Sequence, residues 1–253
     1  MMPEFKKTPA KAQKLPSKEE HLEKESIDAP ISAAGEFKLE DPQTGDLYYP
    51  CHLGILFCGK FEASLFKFLE RHLRDIFNGV FYEIHNLGEY TFSEELLAKG
   101  IKEEYKNSPN GEEKLEVHPT NKLYQILIDS RITQRINMIL LITDLPIYSS
   151  ENQDIVFLFG EANLKHHTGI VSTLKLKESF YGRAENKELF SQRLLKEVIH
   201  EIGHLVLQAE HCNNNWCVMR FSDSLEGIDH KGVFLCKECS KSLERLKEEF
   251  NFS

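Results

Sequence analysis

The sequence predicts a mixed α/β (α+β) fold: a mixed twisted sheet with flanking helices, one long helix bearing the candidate site, and a small cysteine-rich C-terminal subdomain. Three observations predict it. Short apolar runs alternate with stretches of helical periodicity between residues 52 and 207. The longest such stretch, from about Glu185 to Leu207, is one continuous amphipathic helix. Four of the six cysteines then fall within residues 212–239.

The elements follow in order. Residues 1–47 stand apart: six of the nine prolines fall by Pro50, lysine alternates with glutamate, and Phe5 and Phe37 are almost the only large apolar side chains. Such a segment buries too little surface to offset its ordering entropy, so a disordered extension is expected. HLGILFCGK (52–60) reads as a buried strand, with Cys51 and Cys58 as core residues. FEASLFKFLERHLRDIF (61–77) has apolar residues at helical spacing, and GVFYEIH (79–85) is a second strand. The polar stretch 91–114 carries a turn or loop at Pro109, Asn110 and Gly111. NKLYQILIDS (121–130) reads as helix and RINMILLITD (135–144) as the third strand; DIVFLFGEAN (154–163) and TGIVSTLKL (168–176) give two more. The long helix at about 185–207 completes a domain spanning 48–211. Residues 212–253 form the cysteine-rich segment, closing with the helical run KSLERLKEEF (241–250).

Bulk properties exclude several functions. A net charge of -9 opposes phosphate binding, so no nucleic-acid partner is expected. No stretch approaches the ~18–20 apolar residues that cross a bilayer, and the N-terminus lacks the apolar core of a secretory signal. The expectation is a monomeric cytoplasmic protein without a membrane partner. In that reducing compartment clustered cysteines read as metal ligands rather than disulfides.

The chemistry concentrates in HEIGHLVLQAEHC (200–212). His200 and His204 stand four apart, so on a helix both rings project from one face and can share a metal, with Glu201 beside them. Leu194, Leu195, Val198, Ile202 and Leu205 fall on the roughly opposite side, which makes one face core and frees the other to line a cleft. In the tail, Cys212 and Cys217 are separated by four residues and Cys236 and Cys239 by two. Two close pairs joined by an 18-residue loop have the spacing of a four-thiolate zinc site, which can replace the apolar core a short tail lacks.

This order, HExxH, a His-Cys pair (His211-Cys212), then Cys217-Val218-Met219 and a final CxxC, resembles the archaemetzincins, metallopeptidases of the metzincin type. ITDLPIY, FLFGEAN, ESFYG and MRFSDSLEGIDHKG are similar to that family as well. The resemblance implies two zinc ions: a catalytic one on His200, His204 and His211, and a structural one on Cys212, Cys217, Cys236 and Cys239. It also implies a methionine turn at Met219 beneath the catalytic site. DIVFLFGEAN would be the sheet edge along which an extended peptide or protein substrate lies. Glu201 would act as general base, taking a proton from the attacking water and passing it to the leaving amine.

The chain departs from the metzincin pattern at one place. Leu207 occupies the glycine position, Glu210 the third-histidine position, and His211 comes one residue late. In a continuing helix His211 would lie ~10.5 Å beyond His204, too far for bonds of ~2.0–2.1 Å to one ion. The helix must therefore break between Leu205 and Glu210. Three outcomes stay open: His211 as third ligand through a one-residue bulge, Glu210 as ligand, or a weakened catalytic metal. Two functions fit accordingly. One is a zinc-dependent peptidase, the other a non-catalytic interaction module stabilised by its cysteine zinc. Outside this constellation, His166 and His167 read as a solvated turn, His230 as exposed loop, and Tyr181 beside Phe180 as core.

Overall fold

The structure, a computed structural model, describes residues 49–108, 111–151 and 157–250. The expected extension at 1–47 and the start of DIVFLFGEAN lie outside them. Five strands form the main sheet: β1 (Cys51–Cys58), β2 (Phe81–Glu89), β5 (Met138–Thr143), β7 (Gly160–Asn163) and β8 (Thr168–Ser172), in the order β2-β1-β5-β8-β7. The pairs β1/β2, β1/β5 and β5/β8 are parallel, and β7 joins β8 antiparallel at one edge.

Side-chain alternation explains why the sheet is apolar on both faces. Leu53, Ile55 and Phe57 of β1, with Met138, Leu140 and Ile142 of β5, enter one core; Leu56 and Cys58, with Ile139 and Leu141, enter the other. The first core is covered by α1 (Leu65–Ile76) and by the long helix α4 (Lys187–Leu207). The second is covered by α3 (Thr120–Gln134), through Leu123, Tyr124, Leu127 and Ile128. Cys51 and Cys58 are buried strand residues, as expected.

Between β2 and α3 the structure differs from expectation. After a four-residue helix α2 (Glu94–Leu97), an antiparallel hairpin of β3 (Lys102–Ser108) and β4 (Gly111–Pro119) occupies much of the stretch read as polar loop. Cross-strand charge pairs such as Lys114–Glu103 (2.6 Å) decorate it. Its strands are dominated by lysine and glutamate, so no apolar alternation betrays it. β4 continues into a parallel bridge with β6 (Ile147–Tyr148). After β8 the chain forms 3-10 turns at Leu174–Leu176 and Glu178–Tyr181 rather than more strand.

The C-terminal segment carries α5 (Leu225–His230) and α6 (Lys237–Glu249), the latter starting earlier than 241. Cys217, Val218, Met219, Ile228 and Leu243 share the core of α1 and α4. No helix among the described residues is long and apolar enough to cross a membrane.

Arg193, buried midway along α4, ties these parts together. It binds both Asp229 carboxylate oxygens (2.6 and 2.6 Å), Glu178 Oε1 (2.5 Å) and the Leu176 carbonyl (3.1 Å). Arg193→Met leaves Glu178 its pair with Arg183 and exposes Asp229 to water, but removes four hydrogen bonds from a buried guanidinium, so a loss of about 1–3 kcal/mol in urea unfolding is expected. No shift in the urea midpoint would mean the network contributes nothing.

Candidate metal centres

Helix α4 presents His200, Glu201 and His204 from its last two turns, where every residue from Glu197 to Val206 is buried. The face expected to line a cleft is thus enclosed as well as the face expected in the core. Two glycines make room. A Cβ on Gly203 would overlap Met219 Sδ, so the methionine turn packs directly on the helix backbone. A Cβ on Gly160 of β7 would overlap Glu201 Oε1, so the carboxyl group lies against the edge strand.

Backbone carbonyls set the imidazole tautomers. His200 Nδ1 donates to Val218 O (2.8 Å) and His204 Nδ1 to Ala209 O (2.6 Å). A carbonyl can only accept, so Nδ1 carries the proton and each Nε2 keeps a free lone pair. These lone pairs converge with a third. His200 Nε2 is 3.2 Å from His204 Nε2 and 3.1 Å from His211 Nε2.

The helix reverses one residue later than the metzincin pattern. It runs through Leu207, and Gln208 adopts the left-handed conformation (φ 48°, ψ 42°). Its amide N–H caps His204 O (2.9 Å) and its side-chain amide donates to Leu205 O (2.6 Å). The left-handed residue still precedes the third histidine by three positions; both have moved on by one. Glu210 is exposed and stands outside the histidine cluster.

The donor set fits zinc. Bonds of ~2.0–2.1 Å at tetrahedral angles separate nitrogens by ~3.3–3.4 Å, close to the spacing here. Burial foremost holds the rings neutral: the pKa of His204 falls to about 4, that of His211 to about 2, and that of His200 well below its usual value.

The four cysteines also converge. Cys212 Sγ–Cys236 Sγ and Cys217 Sγ–Cys239 Sγ are each 3.7 Å, and all four sulfurs lie within 4.8 Å of one another. Zn–S bonds of ~2.3 Å set tetrahedral edges near 3.8 Å. Backbone N–H groups of Asn214 (3.4 Å) and Cys236 (3.2 Å) donate to Cys212 Sγ and Cys217 Sγ, as thiolates require.

Glu201 is buried, and that burial, followed by Glu197 and Glu161, pushes its pKa well above the carboxylate range. Lys231 opposes the push from a buried ion pair with Glu197 (2.8 Å). A divalent cation on the adjacent imidazoles opposes it too. Sequence reasoning missed Glu197, Lys231 and Glu161. Lys231 lies 34 positions from Glu197, and no local pattern announces their meeting.

Three other readings need correction. His166 and His167 are buried, not solvated: the β7–β8 connection runs into the sheet beside β5, whose Ile139 N–H binds His167 O (3.1 Å) at the start of the parallel β5/β8 ladder. Tyr181 is 39% exposed rather than core, its hydroxyl donating to Lys175 O (3.0 Å). His230 is exposed as expected, but on α5, with its ring 4.6 Å from that of Trp216.

Comparisons with known proteins show the family and the fold. The family model for peptidase family M54 matches residues 62–245. An archaemetzincin from Sulfolobus acidocaldarius is 49% identical over 87 residues, 34% of this chain and 48% of the relative. One from Methanocaldococcus jannaschii is 42% identical over 108 residues, 43% and 58%. The chain thus spans about half the length of the curated relatives it matches. A zinc-dependent peptidase structure from Methanocorpusculum labreanum shares the fold at 22% identity (TM-score 0.59), covering 76% of this chain and 99% of that one. An archaemetzincin structure from Archaeoglobus fulgidus, complexed with malonate, aligns at 28% identity (TM-score 0.52), covering 75% and 99%.

Two outcomes are expected from this geometry. Gln208→Gly relieves a left-handed strain of ~1–2 kcal/mol but loses a hydrogen bond of about 1 kcal/mol. Its stability should stay near wild type, whereas β-branched Gln208→Val should unfold at clearly lower denaturant. Equal midpoints for the two variants would count against the left-handed turn. The second outcome concerns Glu161, which faces α3 on the opposite side of β7 from Gly160. Burial first, then Glu151, raises its pKa from 4.5 to about 7 against the lowering hydroxyls of Ser149, Thr120 and Tyr124. Because the folded pKa is raised, its contribution is fully present below 4.5 and is lost as pH rises through 7. Glu161→Gln should therefore gain stability relative to wild type between pH 5 and pH 8, read as a widening difference in Tm.

Proposed function

The chain belongs to peptidase family M54, and on that premise we propose that it is a zinc-dependent metallopeptidase of archaemetzincin type. The observation that carries the reading is the convergence of three imidazole Nε2 atoms beside a buried glutamate, with His211 recovered by the turn at Gln208. His200, His204 and His211 would hold the catalytic ion, and Cys212, Cys217, Cys236 and Cys239 a second, structural one. When bound, zinc supplies Lewis acidity, lowering the pKa of water and polarising a carbonyl.

The remaining steps belong to the chain's own residues. Glu201, held against Gly160, takes the proton from water as it attacks the scissile carbonyl, then delivers it to the departing amine nitrogen. Edge strand β7 has an open side along which an extended peptide can pair by backbone hydrogen bonds. That places the scissile bond beside the carboxylate lying against the same strand. Met219 supports the helix from below and Val218 O orients His200. Six cysteines without disulfides support a reducing, cytoplasmic setting. The non-catalytic module is disfavoured, because a protein needing only its cysteine site has no use for a converging histidine tripod with two of its rings fixed by backbone carbonyls.

Two measurements decide it. Elemental analysis of the fresh protein should give two zinc ions per chain, and one alone would end the tripod reading. Glu201→Gln should keep both ions while hydrolysis of a peptide library falls about 10²–10⁴-fold. Undiminished turnover in that variant would remove Glu201 from the mechanism.

A further inference from the structure

The three histidines are not held alike. His200 and His204 are each fixed by an Nδ1–H bond to a backbone carbonyl. His211 Nδ1 is buried and has no hydrogen-bond partner among the described residues. With Nε2 turned into the cluster, that nitrogen must still carry the proton, so His211 has neither the orienting acceptor nor the gain in basicity that one confers. Its backbone is anchored from the next residue, where Cys212 N–H binds Met219 O (2.9 Å). Nothing in that anchor fixes the rotation of the ring.

Ring contacts are what remain. His211 lies nearly parallel to His200 (centroids 5.0 Å, 20°) and edge-on to His204 (4.7 Å, 86°). Both belong to the same cluster and repel it lone pair to lone pair when no cation is shared. The third contact comes from outside. Phe221, partly buried two residues after Met219, packs edge-to-face on the imidazole (5.0 Å, 62°). Phe221 leaves the same turn that supplies Val218 O to His200, so one segment serves two ligands by different means: a carbonyl for one, an aromatic wall for the other.

We propose that Phe221 is the positioning residue of the third metal ligand, its ring holding the His211 imidazole at the rotation that a hydrogen bond sets for the other two. The proposal rests on the tripod being the catalytic zinc site. Removing the aromatic wall frees His211 to rotate and weakens that site selectively, leaving the thiolate site intact.

The test is competitive zinc titration of the full chain against a chromophoric chelator, repeated with cobalt to read the visible spectrum of the histidine site. Wild type should hold two ions in two affinity classes. Phe221→Leu should hold the thiolate ion unchanged and bind the histidine ion about 10–100-fold more weakly, with an altered cobalt spectrum. Phe221→Tyr, which keeps the ring, should restore both affinity and spectrum; Phe221→Met, close to phenylalanine in volume, serves if the leucine variant does not fold. A leucine or methionine variant that binds both ions as wild type does overturns the proposal while sparing the tripod. Parallel weakening of both sites also overturns it, since that marks general destabilisation. A wild-type protein holding a single ion overturns the tripod reading and the proposal with it.

Discussion

The site depends on one reversal of direction, between His204 and His211. Seven residues of uninterrupted helix would carry the third imidazole past any shared ion. Gln208 prevents this by adopting a backbone conformation disfavoured for a side chain with a Cβ, stabilised by its own amide on Leu205 O. The reversal also frees Ala209 O to fix His204. A single backbone event thus ends the helix, orients one imidazole and returns another.

Around that reversal the methionine turn acts as a buttress. Gly203 lets Met219 approach the helix backbone, Val218 O reaches His200, and Met219 O receives the Cys212 N–H. The glycine inside HEIGH is therefore a packing requirement. Residues 217–219 connect the cysteine cluster to the histidine cluster through both covalent and hydrogen bonds, while the Lys231–Glu197 and Arg193–Asp229 pairs bind the end of α5 to α4.

Much of this was legible in the sequence, for identifiable reasons. Buried strands such as β5 announce themselves because both faces of a covered parallel sheet are apolar. The cysteine pairs and HExxH are legible because ligand spacing is dictated by local chain geometry. The β3/β4 hairpin was hidden because strands dominated by lysine and glutamate lack apolar alternation. The Glu197–Lys231 pair and the wall at Phe221 depend on approaches across 34 and 10 positions, and buried His166 and His167 on how the turn before β8 is enclosed. The departure at Leu207 was legible as a problem, but its solution was not. Any residue from 205 to 210 could have taken the turn, and only packing selects Gln208.

His211 and Cys212 are joined by a single peptide bond, and this has a kinetic consequence for how the site assembles. Closing the four cysteines on one ion would remove most of the loop entropy of residues 212–239, leaving the third imidazole on a leash one residue long. Its meeting with His200 and His204 then becomes an intramolecular event at high effective concentration. An ion bound at the cysteines would thereby favour capture of a second at the histidines without touching them, through chain connectivity alone.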